Sequence, residues 1–171
     1  DDAGGSAINL PVPRGLNDTE MAMIRDDLIL PAVAEFHPDA IVIVCGADGL
    51  EEDPLAHLSL SNNAHWSIVA GLMGMAPRLL VLGGGGYNPW SVGRMWTGVW
   101  ATLNGHTVPD RVSSEGEAVL RAIKFPGNRL GKHPPEHWFT TLRDAPRDGD
   151  VRDVIRERVA VLRDRSDHRN K

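Results

Sequence analysis

An α/β fold, a parallel sheet covered by helices on both faces, is what this sequence predicts, and three observations predict it. Ala40–Ile41–Val42–Ile43–Val44–Cys45 is an apolar run with no polar alternation, the pattern of a strand buried on both faces. Leu79–Leu80–Val81–Leu82 is a second, shorter run ended by glycine. Between them, at about 61–75, Trp66, Ile68, Val69, Leu72 and Met73 recur at helical spacing. Strand, crossover helix and strand imply a parallel pair in one sheet.

The remaining elements follow in chain order. Ile8–Asn9–Leu10–Pro11–Val12–Pro13 alternates apolar with other residues and holds two prolines, as an edge strand or an extended arm does. Asn17 followed three residues later by Glu20 is a helix start, and Met21, Ile24, Leu28, Ala32 and Phe36 carry a helix over about 18–36. Pro31 should loosen or kink it, and His37–Pro38–Asp39 should end it. Asn88–Pro89 supplies a cap and a first-turn proline for a helix whose apolar face is Val92, Trp96, Val99 and Leu103, with Gly105 as its stop. From about 106, Pro109, Pro126–Gly127 and Pro134–Pro135 break the chain between short helices near 115–124 and 134–142. A last helix at about 150–165 sets Val151, Ile155, Val159 and Leu162 among mixed charges that read as a solvated surface. Strand–helix units over 1–105 therefore carry the loops, and 106–171 is a helical C-terminal extension.

The 171 residues suit one domain, and 42% apolar with 24% charged residues can build a core. Eighteen basic against 23 acidic side chains give a net charge of −5, which argues against a nucleic-acid partner because phosphate binding needs a basic face. A single cysteine, Cys45, excludes an internal disulfide and fits a reducing, cytoplasmic compartment. The sequence has no apolar stretch of the roughly 18 residues that suggests a membrane span.

Ligands of an open parallel sheet bind beyond the carboxyl ends of its strands. Two loops qualify: Gly46 to Leu55, which sets Asp48 just past the first strand, and Gly83 to Tyr87, which sets the chain's only tyrosine just past the second. Asp48 can ligate a metal, orient a base or cap its own loop. Tyr87 can donate a hydrogen bond to a developing oxyanion or serve only in packing. Four consecutive glycines either let backbone approach a ligand or tighten a turn. They are not a phosphate cradle, because Gly83-x-Gly85 lacks the third glycine and no Gly-Lys-Ser/Thr follows. His57 and His65 lie near Asp48 in sequence, which leaves open a metal site wholly inside the chain. Trp90, directly after the glycine loop, is the tryptophan placed to rim a pocket.

Cys45–Gly46–Ala47–Asp48–Gly49–Leu50, Asp53–Pro54–Leu55 and Leu82–Gly83–Gly84–Gly85–Gly86–Tyr87, at this spacing, resemble the second half of a histone deacetylase family protein, the bacterial acetoin-utilisation branch in particular. Ser61 to Trp66 and Gly98 to Asn104 extend the resemblance, which runs from about Ile8 to Leu142. It implies an arginase/deacetylase-type α/β fold and zinc-dependent hydrolysis of an acetyl-amide, either acetyl-lysine in protein or a small acetylated amine. It puts Asp48 on a zinc ligand, Tyr87 on the tyrosine that polarises the substrate carbonyl, Leu55 on the acetyl-lysine tunnel and Gly84, Gly85 and Gly86 on a tunnel wall. The family's other zinc ligands and its His–Asp bases have no match here. A catalytic zinc normally has three protein ligands, so the chain is expected to be the C-terminal part of a longer domain and inactive alone. Its apolar sheet edge should then seek the missing N-terminal half or a second copy of itself. The rival expectation is a non-catalytic α/β module that binds a partner.

Overall fold

The computed structural model describes residues 6–125 and 133–167; the Pro126–Gly127 break lies outside them. Helix α1 (Asp18–Ile24) opens on the predicted capping box. The Asn17 side chain accepts the Glu20 N–H at 2.9 Å, and Glu20 Oε2 accepts the Asn17 N–H at 3.2 Å. The predicted helix passes Pro31 by way of a π turn, Arg25–Ile29, before α2 (Leu30–Phe36). Pro31 has no N–H to give an α-helical partner, and the wider turn ahead of it makes it a first-turn residue of the next segment. Ile8–Pro13 forms no strand; it is an extended arm whose Leu10 and Val12 pack beside α1.

Strand β1 (Ile41–Cys45) pairs in parallel with β2 (Leu79–Gly83), with Cys45 opposite Gly83, and α3 (Asn62–Leu72) is the crossover. Helix α4 (Pro89–Leu103) starts where expected, with Asn88 Oδ1 accepting the Trp90 N–H at 3.1 Å. Beyond it come α5 (Ser114–Ala122), α6 (His137–Thr140) and α7 (Asp153–Asp167). Helices α3 and α4 cover one face of the sheet: Ile43 and Val81 pack into a core of Trp66, Val69, Met95 and Val99. A Cβ on Gly98 would fall on the Trp66 indole, whose Nε1–H donates to the Met95 carbonyl at 2.9 Å. Only glycine lets the two helices come so close.

The expectation that both strands are buried on both faces does not hold in this chain. Val42 and Val44 are 59% and 65% exposed, and their pairing partners Leu80 and Leu82 are 53% and 42% exposed. Among the described residues, the other helices pack elsewhere. Ile24 of α1, Leu28 of the π turn and Ile155 and Val159 of α7 gather with Leu60 and Ala64 around the start of α3. One apolar face of the sheet is therefore open. Trp90 is buried with Leu120 and Trp138, the two indoles 5.5 Å apart, and joins α4 to the C-terminal pieces, where it lines a cavity with Ile123, Phe125 and Phe139. No described helix is long and apolar enough to cross a membrane.

Candidate active site

Because the strands run parallel, their carboxyl ends deliver two loops to the same sheet edge. The first turns through Gly46 into a 3₁₀ turn, Ala47–Gly49, that carries Asp48 half-buried. The second is the glycine run leading to Tyr87. The two are bonded directly, the Ala47 N–H donating to the Gly85 carbonyl at 2.7 Å.

This contact explains the glycines. A Cβ on Gly84 would lie 3.0 Å from Gly46 Cα, one on Gly85 would lie 2.6 Å from Asp48 Cγ, and one on Gly86 would lie 2.9 Å from Ala47 Cβ. Gly86 also has a φ of +145°, which side chains resist. The run is bare so that the backbone of one loop can lie against the other and against the Asp48 carboxylate. Of the close approaches the sequence anticipated at these glycines, the described residues show that of one loop's backbone to the other.

Asp53, 5% exposed, ties the loops a second time. Its Oδ1 accepts the Leu55 N–H at 2.9 Å and its Oδ2 accepts the Tyr87 N–H at 2.7 Å. Next to it the Glu52 carbonyl accepts from Asn88 Nδ2 at 3.0 Å. Leu55 and Tyr87 themselves remain 59% and 49% exposed. Asp48, Leu55, Gly84, Gly85, Gly86 and Tyr87 thus all lie on two interlocked loops at one edge.

The histidines do not join Asp48 as a metal set. His65 reaches the Gly46 carbonyl at 2.9 Å through Nε2, which must then carry the hydrogen. Burial holds its pKa below the ordinary value, outweighing the carbonyls of Gly46 and Ser61 and the charges of Asp18 and Asp48, so the ring is neutral near pH 7. His57 is exposed, in a left-handed backbone conformation. Among the described residues no three His, Cys, Asp or Glu side chains cluster as a metal requires.

Sequence reasoning missed the network behind the loops. Arg94, 1% exposed, donates through Nε to the Thr141 carbonyl at 2.6 Å, pairs with Glu52 Oε2 at 3.3 Å and binds Asp144 Oδ1. Asp144 Oδ2 in turn accepts the Asn62 N–H at 3.1 Å at the start of α3. A signal existed: Arg94 sits one turn from Trp90 on a face otherwise built from apolar and small residues, where an unpaired charge could not stay. For Asp53 the local half of its role, the bond to the Leu55 N–H within Asp53–Pro54–Leu55, was open to the sequence, but the bond to Tyr87 was not, because that partner is 34 residues away.

Residues 1–103 match the family model described as the histone deacetylase domain. The chain is 35% identical over 141 residues to histone deacetylase 9 of Arabidopsis thaliana, covering 80% of this chain and 33% of that protein. It is 34% identical over 111 residues to the acetoin utilization protein AcuC of Staphylococcus xylosus, covering 61% of this chain and 29% of the relative. Among solved structures it superposes on an HDAC homolog from Aquifex aeolicus with a TM-score of 0.80 and 30% identity, over 91% of this chain and 41% of that one. A second match, an HDAC homolog complexed with SAHA, gives a TM-score of 0.81 at 29% identity, over 91% of this chain and 41% of that one. The fold is the arginase/deacetylase one, and the chain spans about a third of the length of these curated relatives.

Proposed function

The chain belongs to the histone deacetylase family, and from that premise we propose that, in the whole protein, it supplies one zinc ligand and the oxyanion-stabilising tyrosine for hydrolysis of an acetyl-amide. The observation that carries this reading is the interlock of the Asp48 and Tyr87 loops at the carboxyl edge of the sheet.

The donor chemistry fits a zinc ion in part. A half-buried carboxylate cradled by Gly46 and Gly85 is a suitable single ligand, and the further ligands would come from residues outside this chain. When bound, the metal would polarise the acetyl carbonyl and lower the pKa of a water. The Asp48 carboxylate lies against the second loop, beside Gly85. The Tyr87 hydroxyl donates to the carbonyl oxygen as negative charge develops there. Leu55, exposed beside it, lines the channel for the acyl-lysine stem, and Gly84, Gly85 and Gly86 form a wall of it.

The substrate class on this reading is acetyl-lysine in protein or a small acetylated amine, and the location is cytoplasmic. The open apolar face of Val42, Val44, Leu80 and Leu82 belongs against the N-terminal part of the same domain, a reading supported by the 41% of the HDAC homolog chain that this chain covers. On this reading the described segment, carrying one ligand, does not turn over substrate alone.

In the intact protein Asp48→Asn should abolish zinc binding. Tyr87→Phe should lower kcat by about 10²–10³-fold with zinc retained. Zinc content and hydrolysis of a fluorogenic acetyl-lysine substrate, measured on the same samples, decide the matter. Full activity in both variants would sink the reading.

A further inference from the structure

We propose that Asp53 is a positioning residue for Tyr87, setting where the phenol stands by gripping its backbone. The proposal rests on the role given to Tyr87 above and extends it to a residue which that role does not include.

The grip is built from one buried carboxylate and two backbone N–H groups. The Asp53 carboxylate is 5% exposed, and its two oxygens are divided between the loops, Oδ1 on the Leu55 N–H at 2.9 Å and Oδ2 on the Tyr87 N–H at 2.7 Å. A carboxylate that accepts backbone N–H groups makes charge-assisted bonds, stronger and more directional than those of a neutral acceptor. Glu52 adds a second point of attachment, its carbonyl taking Asn88 Nδ2 at 3.0 Å, so residues 52 and 53 hold residues 87 and 88 together.

Tyr87 needs such a hold. Four glycines precede it, and glycine restricts the backbone least of all residues. The residue is 49% exposed, so packing fixes little of its position. The phenol hydroxyl extends well beyond the Cα, and a rotation of the backbone at residue 87 swings it through a long arc. A displacement of about 1 Å in a catalytic group can cost about 10²-fold in rate. Asp53 also sets the Leu55 N–H, so one carboxylate fixes the spacing between the phenol and the channel side chain.

The test is a double-mutant cycle in the intact protein: Asp53→Asn, Tyr87→Phe and both together. An asparagine keeps the size but offers one acceptor where two are needed. Alone it should lower kcat by about 10–100-fold, since a misplaced donor loses much of its effect. In the Tyr87→Phe background it should cost little more, because there is no hydroxyl left to misplace. Zinc affinity should stay the same in all three variants, and in zinc-free protein hydrogen exchange at the Tyr87 amide should speed up about tenfold or more in Asp53→Asn as its acceptor is lost. Equal losses of kcat in both backgrounds, or a Tyr87 amide whose exchange is unchanged, would overturn the proposal. Full turnover by Tyr87→Phe alone would instead overturn the role of Tyr87. If Asp53→Asn does not fold, exchange in the unaltered protein decides: protection at Tyr87 comparable to that in α4 supports the grip, and exchange at the free-peptide rate removes it.

Discussion

The two loops at the carboxyl edge of the sheet leave paired strands at opposite residues, Cys45 and Gly83, yet they hold their chemistry by opposite means. The Asp48 carboxylate is fitted by shape, lying in a space that Gly46 and Gly85 leave open. Tyr87 is held by its backbone N–H, and the residue is left half exposed. The difference follows from what each is read to do. A metal ligand must keep its oxygen atoms in one place before anything binds. A hydrogen-bond donor to substrate needs a fixed root and a free tip, because its partner arrives with the substrate.

The largest way to break this arrangement is to remove what stands behind both loops. Arg94→Met would leave Asp144 buried without its cation and Glu52 with only His137 and Arg147, and loss of one partner of a buried ion pair costs about 3–5 kcal/mol. Glu52 carries the carbonyl that holds Asn88, so both loops should loosen together. Urea denaturation of the intact protein should show the loss, and a change below about 1 kcal/mol, the scale of an exposed pair, would mean that His137 and Arg147 suffice to hold Glu52.

A smaller change sharpens the contrast by attacking the first loop from the second. Gly85→Ala adds one methyl where the Asp48 carboxylate lies. Overpacking of this kind costs about 1–3 kcal/mol of stability. The more telling effect is on zinc affinity, which should fall about 10–100-fold, as when a group that orients a ligand is lost. Competition with a chelator measures it. Unchanged zinc affinity would show that the cradle does not set the position of the carboxylate.

Much of this fold was legible because its signals are local. The capping box at Asn17 and Glu20, the Asn88–Pro89 start and the two apolar runs each act within a few residues, and each forms where expected. Pro31 predicts a loosened or kinked helix, and the chain takes a π turn just ahead of it, which accommodates the missing N–H. The open face of Val42, Val44, Leu80 and Leu82 was not legible, because an unbroken apolar run says that both faces favour burial without saying what covers each. At the site, the positions of Asp48 and Tyr87 followed from strand ends alone. The reason for the glycines and the grip of Asp53 did not, because both depend on which atoms of the other loop lie opposite once the strands are in register.

The smallest expected effect lies away from both loops and tests whether they are insulated from the rest of the chain. Glu20, buried in α1, receives Arg152 Nε and Nη2 at 2.6 Å each and the Arg152 N–H at 3.1 Å, which fastens the start of α7 to the capping box. Burial alone would raise its pKa, but the bonds from Arg152 and from the Asn17 N–H outweigh it, and the carboxyl titrates below its ordinary value. A depressed folded pKa means that the unfolded chain binds the proton first as the pH falls. The stabilisation is therefore complete above the unfolded value of about 4.3 and is lost as the pH drops through the folded one. Glu20→Gln keeps a capping-box residue but removes the charge. It should cost about 1 kcal/mol at pH 7, since Arg152 is partly exposed. The difference from the parent should close in acid, and kcat at pH 7 should be unaltered. A gap that persists at low pH would trace the loss to packing instead of charge, and a fall in kcat would show that the loops feel the far side of α3 after all.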